Sequence, residues 1–443
     1  MAGGTWLSQN KKRPGAYINF KSVPRSTMTV GDRGIVAIGL PLKWGKEGEL
    51  IEVLSSSLLD GSSKKEIGFD AFDEDSKLLA GALSYAYKAL VYRMDVGGSK
   101  ATATIGSLTM TAKYNGTFGN SILVAIKALE NGLFEVITYI NGETVNIQRV
   151  ATISELENND FVDFSGDGDL EENAGTALSN GTDGTVTEST AYPLMFKALK
   201  MAHWQTFACN SSDVTIKSNV CDFINQLRND EGRYVQGVVA DYDGADSEGI
   251  INSISGCVID EVEYSKEEFT SIVAGMTAGA NFNQSNTAKK INGATKIINE
   301  LDDAEIKKAL ENGKFLLSTS AKGEVKVEQD INSLHTFTKE KDYNFSKNRV
   351  IRTLDEIGTT TKLTWEDTYM GKVDNNATGR GLFKSDLISY GNELQRLSGI
   401  QEFNGADDIL VSQGNDLDSI VVGWSIKPVD SMEKLYMIVN VRG

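Results

Sequence analysis

Histidine and cysteine are nearly absent from this 443-residue chain, which holds two of the first, His203 and His335, and three of the second, Cys209, Cys221 and Cys257. The histidines lie far apart and no Cys-x-x-Cys pair occurs. A zinc centre or a histidine-based triad would have to be built almost without its usual groups. The thiols read as buried and reduced. No apolar run reaches the length of a membrane span. Met1-Ala-Gly-Gly-Thr-Trp leads to Lys11-Lys-Arg with no apolar leader core, so the expectation is a chain made and folded in a cytoplasm. The formal net charge of −17 argues against nucleic acid as a direct partner. A nucleotide loop is missing too. Gly39 to Lys46 (GLPLKWGK) has one residue too many between its glycines, and Glu47 stands where Ser or Thr would hold magnesium, so this is a turn.

Charge is uneven along the chain. Lys11, Lys12, Arg13, Lys21, Arg25 and Arg33 face only Asp32, which gives a basic arm on an acidic body. The length implies two or three domains. Gly34–Leu40 reads as a buried strand, and Ser76 opens a helix with Leu79, Leu83, Ala86 and Leu90 on one face. From 98 to 190 the pattern turns to strict alternation, with Asn141-Gly142 as a hairpin signal. The acidic loop there, with Asp163, Asp167, Asp169 and Glu171, does not fit the spacing of an EF-hand. From 191 onward helices and strands alternate: a helix with Pro193 near its start that runs through His203, others starting at Asp213 or Ser218, at Ser265 and at Asp302, and a hairpin around Gly323. Asp241-Tyr-Asp243 follows a strand, but no nucleophile motif accompanies it. Residues 346–401 are mostly helical, with Asn375 to Gly381 as a loop and Ser385 capping the last helix.

The expected fold class is α/β: a core with a mixed sheet and flanking helices, a small inserted all-β domain (sandwich or barrel), and extended terminal strand arms. Its parts are an arm (1–30), the first part of the core (31–97), the insert (98–190), the second part of the core (191–345) and a C-terminal α/β region (346–443). The insert is expected to fold independently and to lie on the outside of an assembly. Both arms hold β-formers: Ala16, Tyr17, Ile18, Asn19 and Phe20 at one end; Leu435, Tyr436, Met437, Ile438, Val439, Asn440 and Val441 at the other. Such segments suit strand exchange between copies.

Three ordered stretches carry a resemblance. They are Gly3-Gly-Thr-Trp with Asn10 to Phe20; Thr111-Ala-Lys-Tyr-Asn-Gly-Thr-Phe-Gly-Asn; and Asn348-Arg-Val-Ile, Thr364-Trp-Glu-Asp, Gly371-Lys, Asn375-Asn and Gly379-Arg. Together they resemble the sheath proteins of contractile phage tails and phage-like bacteriocins, in the Gram-positive branch. The resemblance implies a helical homopolymer around a tail tube protein, in contact with baseplate and tail-terminator proteins. It implies arms that complete sheets in neighbours, and a contraction that drives the tube through a target envelope. The particle would be assembled in the bacterial host cytoplasm, with no direct nucleic-acid contact and no membrane insertion. No catalytic residue, metal or cofactor belongs to this family. Lys372, Arg380, Lys384 and Arg396 would face the tube. The rival readings are a cytoplasmic α/β enzyme with an accessory β domain, and a secreted surface-layer or adhesin protein.

Overall fold

The computed structural model describes residues 2–4, 15–17, 28, 30, 31 and 33–442. The chain divides into two compact units, one formed by residues 31–359 with 428–443 and the other by 1–30 with 360–427.

The larger unit is built on a seven-stranded sheet. Its order across the sheet is Lys314–Phe315, Ile250–Ser253, Gln236–Ala240, Thr206–Ala208, Ile35–Leu40, Lys88–Arg93 and Leu50–Leu54. Neighbours run parallel except the last pair, which is antiparallel. All six residues of Ile35–Leu40 are buried, as a strand covered on both faces requires. Val36 and Ile38 enter one apolar cluster with Phe269, Ile272 and Met276 of the helix Lys266–Gly279. Ile35 and Ala37 enter the other, with Tyr192, Phe196 and Phe223 from the helices Glu188–Leu199 and Val214–Asn229. The helix starts expected at Asp213, Ser265 and Asp302 are realised by their side chains. Asp213 accepts from Thr215 N, and Ser265 with Glu268 and Asp302 with Glu305 close capping boxes.

Two expectations shift. The helix after Ser76 ends at Leu83, and Leu90 lies in the strand Lys88–Arg93. Pro193 lies inside its helix, which begins at Glu188.

Between Asp95–Val96 and Thr185–Val186, which pair antiparallel, the chain forms two sheets. One has the order Glu143–Val150, Phe134–Ile140, Ile122–Ala128, Asn173–Ala177; the other has Val162–Ser165, Leu108–Asn115, Lys100–Ile105. They enclose an apolar cluster that includes Met110, Val124, Val136 and Val162. Asn141 and Gly142 both have positive φ, 49° and 85°, as a tight primed hairpin turn needs. Trp44 of the core belongs to this cluster, against Tyr114, Phe118 and Phe161. Arg93 crosses the same junction, pairing with Asp95 at 2.7 Å and donating to Gly45 O and to the Asn115 side chain. The β module is therefore welded to the core.

The helix Asn348–Thr364, most of which belongs to the larger unit, passes into a π-helical turn, Trp365–Tyr369, of the smaller one. The long helix expected to be capped by Ser385 is Ala377–Arg396, and a short one, Gly405–Asp408, comes after it. The cap of the long helix is Asn376, whose side chain accepts from Gly379 N. Two glycines in its first turns hid the start. The antiparallel hairpin Ile409–Gln413/Ile420–Trp424 follows.

Candidate functional site

The residues with chemical potential do not converge. The His203 imidazole lies 3.0 Å from the Gln205 amide, and burial lowers its pKa. The His335 ring makes its contact with Ser333 O at 2.9 Å, with Asp246 at 3.3 Å. Burial pushes the Cys209 thiol up to about 11 and those of Cys221 and Cys257 up to about 12, so all three stay protonated at neutral pH. Asp241 and Asp243 are neutralised by lysines, Lys266 on Asp241 at 2.8 Å and Lys314 on Asp243 at 2.7 Å. Among the described residues no group of three or more His, Cys, Asp or Glu side chains is placed to hold a metal ion, Asp163 to Glu171 included.

The terminal segments are more informative. Residues 428–442 form no helix or strand. Leu435, Tyr436, Ile438 and Val441 are 84, 89, 88 and 91 % exposed, and Met437 and Val439 are also exposed. The strand expected at Leu435–Val441 is therefore not formed within the single chain. A lone strand has no partner for its backbone groups until another chain supplies an edge. At the other end the picture differs. Gly15–Tyr17, which includes Ala16 and Tyr17, is a strand that pairs in parallel with Ala2–Gly4 of the same chain. Ile18, Asn19 and Phe20 lie outside the described residues.

The hairpin Ile409–Gln413/Ile420–Trp424 is a two-stranded sheet, and among the described residues nothing pairs with either outer edge. Its two faces differ. Ile409 is buried, and Trp424 packs edge-on to Tyr390 and tilted against Phe403. Leu410 and Val421, on the opposite face, are 67 and 57 % exposed. The hairpin is held from its loop, since the Asn375 amide donates to Leu417 O and Ser419 O, both at 2.8 Å. Arg380 in turn donates to Asn375 Oδ1 at 2.9 Å. Gly379 sits beneath, where a Cβ would fall 2.1 Å from Asp374 O. The run Asn375-Asn-x-x-Gly-Arg is thus a brace for the hairpin, a role that spacing alone did not reveal.

The four cations expected on one surface are only partly gathered. Lys372 and Arg380 line a cleft of about 580 Å³ together with Trp365, Tyr369, Phe383 and Leu417. Tyr369 closes its inner wall, donating to Asp386 at 2.6 Å; burial, then that bond, raises the phenol pKa. Lys384, one turn beyond Arg380, contacts Ala406 O at 3.3 Å. Arg396, near the end of the helix, is held by Glu393 through two contacts of 2.6 and 2.7 Å.

Comparison with known proteins adds an independent line. The family model for the phage tail sheath protein beta-sandwich domain matches residues 96–183. The model for the central domain of the phage tail sheath protein matches 186–333, and that for the phage tail sheath C-terminal domain matches 340–442. Across its whole length, and that of each relative, the chain is 34% identical to the uncharacterized protein YqbK and 33% identical to the phage-like element PBSX protein XkdK, both of Bacillus subtilis strain 168. The crystal structure of the sheath tail protein from Desulfitobacterium hafniense superposes with a TM-score of 0.82 at 38% identity, over 96% of this chain and 99% of that one.

Proposed function

The chain belongs to the contractile phage-tail sheath family, and we propose that it polymerises by exchanging terminal strands between subunits around a tail tube. It is a structural subunit of a tail sheath in a phage-like particle, from a family of structural proteins. The proposal adds that the subunit performs no catalysis, and that it meets a tube protein inside and baseplate and terminator proteins at the two ends. It also adds that the particle is built in the cytoplasm of a bacterial host.

One observation carries the reading. A single chain offers both an exposed apolar segment without a sheet, Leu435–Val441, and a braced hairpin with open edges. In a strand, successive side chains alternate between faces. Leu435, Met437, Val439 and Val441 would therefore share one face of an added strand, and Tyr436, Ile438 and Asn440 the other. Such links are head-to-tail and propagate into rings or helices instead of closing a dimer. The N-terminal arm would join as a paired ribbon, offering the free edge of Gly15–Tyr17. Lys372, Arg380 and Lys384 are the cations proposed to meet an acidic tube; the charge of Arg396 is taken up by Glu393. The energy for contraction would be stored in packing between subunit bodies, with the exchanged strands as tethers.

Negative-stain electron microscopy of the concentrated protein tests this. The full chain is expected to form long hollow tubes. Chains lacking residues 1–21 or 435–443 are expected to stay folded by circular dichroism and to form none. Tubes from both truncated chains would overturn the reading.

A further inference from the structure

The C-terminal segment is exposed almost throughout, yet one of its side chains is set deep in the body. Glu433 is 12 % exposed and Lys347, its partner, 5 %. One carboxylate oxygen accepts from Thr287 Oγ1 at 2.7 Å, while the other accepts from Gln329 Nε2 at 2.7 Å and from the Lys347 ammonium. These donors come from three separate segments of the larger unit. The socket is itself braced: Thr287 Oγ1 accepts from Asp330 N at 2.9 Å, and the Asp330 carboxylate holds Arg352 at 2.6 Å and Asn348 at 3.0 Å. Burying a carboxylate is unfavourable unless it is paired and hydrogen-bonded. Here it is fully engaged, at the last point before the chain leaves the body at Lys434.

We propose that Glu433 is a positioning residue that locks the root of the C-terminal arm into the subunit body, so that the exchanged strand departs from a fixed point and transmits load to the core. The inference rests on the strand-exchange reading given above. A fixed root shortens the free tether and reduces the ordering that assembly requires, which favours capture by a neighbour. It also prevents the arm from peeling back when neighbouring bodies move.

The lock depends on charge. Burial works to raise the Glu433 pKa, but the bonds from Lys347, Gln329 and Thr287 outweigh it and hold the group below its ordinary 4.5. The other charged or titratable groups around the socket include Asp430, Tyr343, Arg349, Lys289 and the Asp330–Arg352 pair. A lowered carboxyl stabilises at pH above its unfolded value and loses that contribution as pH falls through the folded value. The root is therefore expected to release in acid, starting below about pH 4.5.

The test uses the full chain, with Glu433→Ala and Glu433→Gln beside the parent and beside a chain lacking 435–443 that keeps Glu433. Hydrogen exchange reads the root, and sedimentation reads the concentration at which tubes form. Glu433→Ala is expected to expose 428–433 to exchange with the central sheet still protected, and to raise the assembly concentration about tenfold or more. Glu433→Gln keeps two of the contacts and should fall between. Its root should show no acid release as pH falls below about 4.5, where the parent's begins. If Glu433→Ala loses the protection of the central sheet, the Gln variant and its flat pH profile decide. Parent-like root exchange and assembly in both variants would overturn the anchor. If that happens while the chain lacking 435–443 forms no tubes, strand exchange stands and only the anchor fails; tubes from that chain would remove the C-terminal exchange on which the anchor rests.

Discussion

Trp44 and Arg93 each bind two modules. The Trp44 indole is fully buried, with its Nε1 on Lys65 O at 3.0 Å and its rings against Tyr114, Phe118 and Phe161. Trp44→Ala is expected to cost about 3–5 kcal/mol, read as a lower denaturant midpoint. Arg93→Ala leaves Asp95 buried without its cation and should cost a similar amount, about 3–5 kcal/mol. By contrast, Cys209→Ala, Cys221→Ala and Cys257→Ala should lower stability by packing loss alone and leave assembly intact; loss of tubes in a variant that still folds would contradict this. At this scale the sequence was half legible. GLPLKWGK reads as a turn because its spacing breaks the phosphate-loop pattern, but Gly39 and Leu40 end the strand Ile35–Leu40 and only the residues after them bend away. That its tryptophan plugs a β module was not legible, because Tyr114 and Phe161 lie far along the chain and only the fold brings them near.

Elements were legible where local chemistry decides them. Capping boxes at Ser265 and Asp302 and the Asn141-Gly142 turn satisfy their own backbone within a few residues. The start at Ala377 was missed because Gly379 and Gly381 look like loop, while the need for a residue without Cβ at 379 comes from Asp374 O. The hairpin's brace gives a prediction at this scale. Asn375→Ala removes two bonds to the loop at about 0.5–1.5 kcal/mol each. It should loosen residues 414–419 in hydrogen exchange and weaken tube formation, with the fold of residues 31–359 unchanged. Excising 98–184 should leave a less stable core, because Trp44 loses Tyr114, Phe118 and Phe161, and Arg93 loses Asn115. A core that melts at the parent's temperature would show that the weld contributes nothing.

At the scale of the chain, the α/β body, a sheet with helices on both faces, and the β module were foreseeable from alternation and composition, since each buries its own apolar face. Of the arms, residues 15–17 were foreseeable as a strand, but not in their pairing with 2–4. Alternation says that a segment can be a strand; it does not say whose edge it meets. Energetics narrows the choice. Ordering an arm costs about 1–2 kcal/mol per residue, while each backbone bond returns only about 0.5–1.5 kcal/mol. Burial of side chains such as Tyr436, Ile438 and Val441, at about 1.5–3 kcal/mol each, must supply the rest. Substituting Ile438 and Val441 by Ser should therefore abolish tubes although every backbone donor remains. The central claim is strand exchange, and a cryo-electron-microscopy reconstruction of the assembled polymer tests it most directly. The account predicts residues 435–441 as a strand on an edge of the hairpin 409–424 of a neighbouring subunit; the same residues paired with a sheet of their own subunit would contradict it.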